Sequence, residues 1–416
     1  MSSTQDAPEP WTAEVETWLA ANWDPDITVR AWWDRLATSG WGQPTWPTTW
    51  FGRGLDIGVH ASVRAAFDSA GALGPPVSIG QLLGVPTLLA HGTAAQQHLF
   101  IPRLARGEEM WCQLFSEPDS GSDLASARTR AVRDGDEWII DGQKVWVSGA
   151  RWSNRGLLLA RTDADVPKHA GLTFFVIDLD QPGVEIRPLH QMNGESGFSE
   201  VFLTRARVPQ DQAVGSLNGG WTVALTTLLY ERSVIPWGVN PEGTDDLLDR
   251  RAGDIVLSQR IGEASDSRAD PLSIVLDSFS RSDRRSDPVA RQAVAQTYVH
   301  GEIARWLGGR AVGGSLRKLH RSALGALAAG TAMDLIAPEG TLTHDADHLV
   351  GRVQKLTLSV PSLSIKGGTD EIQRNIVGER VLGLPREPQI GRDLPFRELE
   401  VGIQRPAGAV SDRNQH

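Results

Sequence analysis

The sequence predicts an α+β protein in which a β-domain lies between two helical regions. Residues 11–107 carry apolar residues at spacings of three and four, which is typical of amphipathic helices. From 111 to 209 the apolar period falls to two, and Asp-Gly pairs separate the segments, which indicates strands joined by tight turns. Helical periodicity returns from 220 to 384. This order of helices, strands and helices excludes a fold built from alternating βαβ units.

The first helical region is predicted to cover residues 11–109. Its segments are "WTAEVETWLA", "VRAWWDRLATSG" and "AAQQHLFIPRLARG", and the last two end on glycine, a common helix terminator. Eight of the fifteen tryptophans lie in the first fifty residues, and we interpret them as anchors of the core and of interfaces. Residues 1–10 are polar and acidic, so we predict a disordered tail before the first helix.

Residues 110–217 are predicted to form the β-domain. The stretch "TRAVRDGDEWIIDGQKVWVS" holds two Asp-Gly turn signals between segments of alternating polarity. The segments "GLLLAR", "LTFFVIDL", "VEIRPL" and "EVFLTRARV" follow as further strands. Because no helical pattern interrupts them, we expect these strands to form one domain.

Residues 218–387 are predicted to form the second helical region. The run "SDPVARQAVAQTYVHGEIARWLGG" opens with a capping residue, Ser286 or Asp287. Pro288 follows in the first turn, where proline is favoured. Residues 388–416 are predicted to be a C-terminal tail.

Charge and composition exclude several functional classes. The net charge is −10 without a basic block, which argues against nucleic acid or an anionic membrane surface as the main partner. No apolar run reaches 18 residues, so we expect no membrane insertion. Cys112 is the only cysteine, which excludes an internal disulfide and indicates a cytoplasmic protein. His344 and His348 have a metal-ligand spacing but no third ligand nearby, so we expect no metal site.

A loop rich in serine and glycine follows the first predicted strand, in the stretch "WCQLFSEPDSGSD" at 111–123. Its backbone N–H groups and the hydroxyls of Ser116, Ser120 and Ser122 suit the polar edge of an anionic ligand. An ordinary serine-rich turn is the alternative interpretation, and the residues alone leave both open.

The strand "KVWVS" at 144–148 places Trp146 and Ser148 on the same face. A tryptophan beside a hydroxyl can stack on a flat aromatic ligand and hydrogen-bond its edge. A tryptophan that fills the core is the alternative, and the pattern by itself does not separate the two.

Taken together, these segments resemble the acyl-CoA dehydrogenase family over about residues 12–387. "FSEPDSGSD" is similar to the family's first signature and "GQKVWVSGA" to its flavin-stacking strand. "GVEIRPLHQMNG" and "EVFLTRARVP" resemble its later β-domain, and "GTDEIQRNIVGERVLG" resembles its last helix. The resemblance implies a helical domain, a central β-barrel and a C-terminal four-helix bundle.

The resemblance also implies FAD as cofactor and a CoA thioester as substrate. By position, Phe115 and Ser116 would lie along the pyrimidine edge of the flavin, and Ser122 would lie near the pyrophosphate or the CoA chain. Trp146 and Ser148 would lie over the ring and its N5 edge. We therefore expect α,β-desaturation of an acyl-CoA, with an electron acceptor protein such as an electron-transfer flavoprotein.

The start of the last helix supplies the remaining predicted cofactor contacts. Thr369 and Glu371 would approach the FAD of the same or a neighbouring subunit, since a helix N-terminus offers unpaired N–H groups to phosphate or ribose oxygens. A plain N-cap is the alternative for Thr369. The resemblance implies a homotetramer or an α2β2 heterotetramer with a related subunit.

Desaturation requires a carboxylate that removes the α-proton, and many relatives carry it directly before the Gly-Thr pair of the last helix. Here that position is Gly367. We predict that Glu231 replaces it, because Glu231 continues the apolar stripe of its helix and burial would raise its pKa toward that of a general base. A structural ion pair with Arg232 is the alternative, and Asp370 is the next candidate base.

Arg232, Gly367 and Gly368 are predicted to contact the substrate, and the missing side chain at 367 leaves space for a branched or polycyclic acyl group. Two other classes stay open: a flavin oxidase or monooxygenase on the same fold, and a non-catalytic partner subunit that completes another chain's FAD site. Oxygen consumption during turnover indicates the first. A chain that is colourless alone, and yellow only with a second gene product, indicates the second.

Overall fold

A computed structural model gives the fold of this chain. It describes residues 10–233, 237–240, 246–266, 270–308, 313–342, 345, 348–386 and 391–399. Within these ranges, no helix combines the length and apolar character that crossing a bilayer requires. His344 and most of the two predicted tails lie outside the described residues, whereas His348 caps the N-terminus of a helix.

The first helical region contains α1–α5, at Pro10–Asn22, Val29–Ser39, Val59–Ala70, Val85–His91 and Ala94–Ala105. Trp32 and Trp33 are fully buried in its core. Their indole N–H groups donate to the carbonyl oxygens of Leu73 and Gly74 at 2.7 and 2.9 Å, so the rings are buried without an unpaired polar atom. The interpretation of the early tryptophans as core anchors is confirmed for these two residues and for Trp41.

The β-domain contains β1–β8, at Trp111–Leu114, Arg130–Asp134, Glu137–Ser148, Arg155–Arg161, Leu172–Asp178, Val184–Leu189, Phe198–Pro209 and Ala213–Val214. They form one sheet in the order β6-β7-β3-β2-β4-β5-β8, and β1 pairs in parallel with β4. β4 and β5 are buried on both faces, which explains their continuous apolar sequences. The sheet therefore has a buried centre, with β1 ending beside β3 and β4.

The second helical region contains α6–α12, at Gly220–Ser233, Ala252–Asp266, Pro271–Arg281, Pro288–Gly308, Gly314–Ile336, Leu349–Ser359 and Asp370–Ile376. Val275, Val294, Ala328 and Val353 come from α8, α9, α10 and α11 and share one apolar core. Pro288 is the first residue of α9, as its sequence predicts. The α+β class and the C-terminal four-helix bundle are thus confirmed.

Two helices of this region pack outside the bundle. Thr227 of α6 hydrogen-bonds Thr87 of α4 at 2.9 Å, and both side chains are buried. Ala252 and Ile255 of α7 belong to the tryptophan core of the first helices. α6 therefore begins against β5 and α4, and its C-terminal end extends beyond them toward the bundle.

Candidate active site

The carboxylate of Glu231, the predicted base, faces Gly367, where the usual carboxylate side chain is missing. The Nε2 atom of Gln113, in β1, is 3.4 Å from the Oε2 atom of Glu231, near the end of α6. A Cβ atom placed on Gly367 would lie 3.9 Å from the Oε1 atom of Glu231. The Glu231 carboxylate thus lies between β1 and the loop before α12, where a side chain at 367 would point.

Backbone geometry explains why residues 367 and 368 are glycines. Both have left-handed conformations, with φ of +67° and +82°. The Nε2 atom of buried Gln373 donates to the Gly367 carbonyl at 2.7 Å, and a Cβ atom on Gly368 would come within 2.6 Å of the same nitrogen. Gln373 was not predicted as a site residue, because its contact depends on the loop conformation. It holds the loop opposite Glu231.

The expectation that Glu231 is buried on the apolar stripe of α6 is wrong. Val223, Ala224 and Thr227 are buried, but Glu231 lies one turn farther along and is exposed. The helical spacing is the predicted one, yet the elements that cover α6 end before residue 231. Burial in this chain alone therefore does not prepare Glu231 as a base. The side chain of Arg232 lies outside the described part of the structure, and with it the predicted alternative of an ion pair.

Trp146 has an unusual backbone conformation in β3. The pairing of β3 with β7 shifts register between Lys144 and Val147, and Trp146 lies within this bulge with φ of 62°. Its ring is 58% exposed and meets Phe198 edge-on, with 5.9 Å between the ring centroids. Ser148 is exposed on the same face. A strained residue that presents a large aromatic ring to solvent is typical of a ligand site.

A buried ion pair fixes the segments on both sides of Ser116. The Lys144 ammonium is fully buried and donates to the carbonyl oxygens of Phe115 and Leu159 at 3.0 and 2.8 Å, and to Glu117 at 2.7 Å. Burial alone would raise the pKa of Glu117, but Lys144 and other hydrogen-bond donors hold that pKa below its usual value. This pair joins the end of β1 to the strand that carries Trp146, and no sequence pattern singles it out.

The serine-rich loop is folded by its own hydrogen bonds. Ser120 is buried and donates to the Asp123 carbonyl at 2.8 Å, while the Asp123 carboxylate accepts from Ser126 at 2.5 Å. Ser122 is exposed and Ser116 is half-buried. The structure therefore contains the predicted alternative of an ordinary serine-rich turn, and it also presents Ser122 to solvent.

Phe115 has a buried ring that meets Phe174 edge-on, with 5.8 Å between the ring centroids. Its side chain is part of the core between β1 and β5. Only the backbone of Phe115 can therefore approach a ligand.

The start of α12 is arranged around the N-cap Thr369. Its Oγ1 atom accepts from the Ile372 N–H at 3.3 Å, so Thr369 is the N-cap of α12, and its contact with FAD stays a prediction. Glu371 is exposed and lies 3.6 Å from Arg374. Asp370 forms an ion pair with the buried Lys318.

Asp370 is a poor candidate for the base. Partial burial would raise its pKa, but hydrogen bonds, first among them that from Lys318, hold its pKa below the usual range. The Asp370 carboxylate is therefore ionised, but it is held in its ion pair with Lys318 and is not directed at a substrate. Glu231 is left as the carboxylate that faces Gly367.

Comparison with known proteins identifies the class. Residues 5–108, 112–206 and 286–382 match the models of the N-terminal, middle and C-terminal domains of acyl-CoA dehydrogenases. Together these matches cover more than half of the sequence, and the chain belongs to the acyl-CoA dehydrogenase family. The family resemblance seen in the sequence motifs is confirmed.

Individual relatives agree with this assignment over the full length. Acyl-CoA dehydrogenase IpdE1 of Mycobacterium tuberculosis is 38% identical over 397 residues, which cover 91% of this chain and 98% of that protein. Among solved structures, the Tcur3481-Tcur3483 steroid ACAD has a TM-score of 0.65 and 25% identity, covering 92% of this chain and all of that chain. The ChsE4-ChsE5 complex from M. tuberculosis has a TM-score of 0.65 and 26% identity, covering 93% of this chain and all of that chain. The protein is an acyl-CoA dehydrogenase, an oxidoreductase that acts on a CH–CH bond.

Proposed function

We propose that this enzyme uses FAD to desaturate the α,β-bond of a CoA thioester with a bulky, ring-containing acyl group, and that Glu231 is the base. The observation that carries the proposal is the position of the Glu231 carboxylate, 3.9 Å from where a Cβ atom on Gly367 would lie. A carboxylate at this point can serve the same substrate carbon as one at 367.

The residues around Glu231 provide the other requirements for removing an α-proton. Gln113 donates to the Glu231 carboxylate and orients it. The backbone N–H of Gly367 is retained in the glycine and is available to polarise the thioester carbonyl, which acidifies the α-carbon. Since Glu231 is exposed in the single chain, the acyl group and a neighbouring subunit must exclude water from it during the reaction.

The residues of β1 and β3 fit a flavin. Trp146 is exposed in the bulge of β3, and its ring offers a stacking surface, with Ser148 nearby. Ser116 and Ser122 offer hydroxyl groups to the ring edge and the phosphates, and Thr369 and Glu371 offer polar atoms at the start of α12. When bound, FAD would supply the acceptor for the hydride from the β-carbon.

The proposed acyl group is large because the region in front of Gly367 lacks a side chain. The solved relative described as a steroid ACAD supports a polycyclic substrate. Gly367 and Gly368 are proposed to contact the acyl group through their backbones, and Arg232 through its backbone or side chain. We place the enzyme in steroid catabolism on this basis.

We further propose that the enzyme is an oligomer and that a flavoprotein removes its electrons. Val299 and Trp306 lie two turns apart on α9, and both are exposed, at 55% and 61%. Both solved relatives are named as pairs of chains, which supports an α2β2 heterotetramer beside a homotetramer.

The proposal is tested by expressing the chain alone and together with a related acyl-CoA dehydrogenase subunit. We expect a yellow protein whose flavin bleaches under anaerobic conditions with a CoA thioester of a ring-containing acid, and more slowly with straight-chain thioesters. Acid precipitation should release FAD. A flavin-free protein in every assembly, or a flavin that no CoA thioester bleaches, would contradict the proposal.

A further inference from the structure

The chain that follows α6 is bound to the first helical region. Residues 237–240, here called the tether, lie beside the segment that precedes α4. The N–H of Val77 donates to the Val239 carbonyl, and the N–H of Val239 donates to the Pro75 carbonyl, both at 2.8 Å. Val239 is buried in the tryptophan core of the first helices. The mechanism proposed above assigns no role to the tether.

Two glycines allow the tether to approach the first helical region backbone to backbone. A Cβ atom on Gly74 would come within 2.7 Å of the Cα atom of Gly238. A Cβ atom on Gly238 would come within 2.3 Å of the Pro75 carbonyl oxygen. Both distances are shorter than carbon atoms normally adopt in contacts, so the tether keeps this position only with glycine at 74 and 238.

The side chain of Trp237 fixes the start of the tether on α3. Its ring meets Phe67 edge-on, with 5.2 Å between the ring centroids, and its indole N–H donates to the Nδ1 atom of His60 at 3.2 Å. Burial lowers the pKa of His60, so the imidazole is neutral at pH 7 and Nδ1 can accept. The proton of the imidazole is then on Nε2, which lies 3.5 Å from the Oγ1 atom of Thr45.

The last turn of α6 has less support from its own side chains. Up to residue 231, Thr227 is the last buried residue of the helix, and both Leu229 and Glu231 are exposed. The carbonyl groups of a final turn lack helical partners, so a helix end opens more readily than its middle. Trp237 follows Ser233, the end of α6, by four residues, which span at most about 14 Å. Fixing Trp237 therefore limits how far the last turn can move.

We propose that Trp237 and His60 are positioning residues for Glu231. Through the tether they hold the last turn of α6, and with it the Glu231 carboxylate, opposite Gly367. The position of the carboxylate matters because a general base must lie within hydrogen-bond reach of the proton that it removes. The inference rests on the proposed function and adds to it the residues that keep the base in place.

The test is the rate of anaerobic flavin reduction in the holoenzyme. The probe is cyclohexanepropanoyl-CoA, or the ring-containing thioester that bleaches the parent fastest, at saturating concentration. Trp237→Phe keeps a ring against Phe67 and removes the N–H. We expect reduction about tenfold slower, since a misplacement of about 1 Å can cost about a hundredfold. The FAD content and the thioester concentration that gives half the maximal rate should match the parent.

Trp32→Phe is the matched control for a loss of stability. It also removes an indole hydrogen bond in the same core, the one to the Leu73 carbonyl at 2.7 Å, but Trp32 lies on α2 and not on the tether. We expect it to lower the melting temperature and to reduce its flavin at the parent rate.

A second pair of variants changes the acceptor and leaves Trp237 in place. His60→Leu removes the acceptor, whereas His60→Asn puts an amide oxygen close to the position of Nδ1. We expect His60→Leu to slow flavin reduction as Trp237→Phe does, and His60→Asn to restore most of the rate. Equal rates in the leucine and asparagine variants would overturn the inference.

Combining Trp237→Phe with Glu231→Gln separates this inference from the proposed function. Because no base is left to position, the tenfold cost should disappear in the Glu231→Gln background. A parental rate in Trp237→Phe, or a cost that persists in full without Glu231, would overturn the inference and leave the proposed base intact. Equal slowing by Trp32→Phe would also overturn it, since the effect would then follow stability alone. A parental rate in Glu231→Gln would contradict the proposed function, and with it the inference.

Discussion

At the scale of single residues, Lys144 connects the two segments that are proposed to hold FAD. Its ammonium is fully buried and reaches Phe115, Glu117 and Leu159, so it fixes the backbone on either side of Ser116. Taking the two charges out of water costs free energy, and that cost is offset because Lys144 and Glu117 hydrogen-bond each other. Removing one partner leaves an uncompensated charge in the interior.

We predict that Lys144→Met lowers the free energy of unfolding by about 3–5 kcal/mol, because Glu117 loses its cation. Lys168→Met is the matched control: its ion pair with the exposed Asp123 should be worth at most about 1 kcal/mol. Urea unfolding of both variants measures the difference. Equal losses would show that the buried pair has no special role.

Gly367 is a second residue whose role follows from its backbone. A left-handed conformation costs an L-residue about 1–2 kcal/mol, and no collision adds to this because the Cβ atom would meet Glu231 only at 3.9 Å. We predict that Gly367→Ala loses stability by that amount. Gly330→Ala, at an open helical position in α10, should gain up to about 1 kcal/mol. Thermal unfolding measures both variants: the melting temperature should fall for Gly367→Ala and rise for Gly330→Ala. A rise for both variants would contradict the prediction.

At the scale of elements, the bulge in β3 is what turns an ordinary strand into a ligand surface. It changes the register between Lys144 and Val147 and presents Trp146 outward. The alternating pattern of "KVWVS" predicts the strand and the shared face of Trp146 and Ser148. It cannot predict a tryptophan with positive φ, because local propensity disfavours it and only the pairing with β7 imposes it.

We predict that Trp146→Ala weakens FAD binding about tenfold, through loss of the stacking surface. Trp146→Phe keeps a ring and should lose much less. The fraction of flavin retained after dilution and gel filtration measures the effect. Full retention of FAD by the alanine variant would contradict a stacking role.

The end of α6 shows the same limit of sequence patterns. The three-four spacing of the apolar stripe through Ala224, Leu228 and Glu231 correctly predicts that Ala224 is buried and that Leu228 packs against the core, but periodicity does not tell where the covering elements end. Glu231 is therefore exposed, although it lies on that stripe. The loop at 367–368 and its contact with Gln373 also depend on tertiary structure, and the sequence could not predict them.

At the scale of the whole molecule, the order of helices, strands and helices and the early tryptophan core could be predicted from periodicity and composition. Residues 391–399, which belong to the predicted tail, instead pack on the β-domain through Phe396 and Arg397. That contact is between segments more than two hundred residues apart, which no local pattern reveals. The sequence likewise does not predict which surface packs on the exposed apolar residues of α9, because that contact depends on how subunits assemble.

We predict that the active protein is a dimer or larger and that Trp306→Glu on α9 shifts it to smaller species, because a charge replaces an exposed ring at 61% accessibility. Ile57→Glu, at an equally exposed apolar residue of the N-terminal region, is the control and should leave the mass unchanged. Light scattering coupled to gel filtration gives the mass of each. An active, FAD-saturated monomer would contradict this prediction.

Glu231 is proposed to remove the α-proton in place of the side chain missing at Gly367. The direct measurement is the rate of anaerobic flavin reduction by a good acyl-CoA in Glu231→Gln, compared with the parent and with Glu16→Gln, an exposed control on α1. We predict a loss of roughly a hundredfold or more for Glu231→Gln, since a general base typically contributes that much, with unchanged FAD content and no effect at Glu16. Flavin reduction in Glu231→Gln as fast as in the parent would show that the base lies elsewhere.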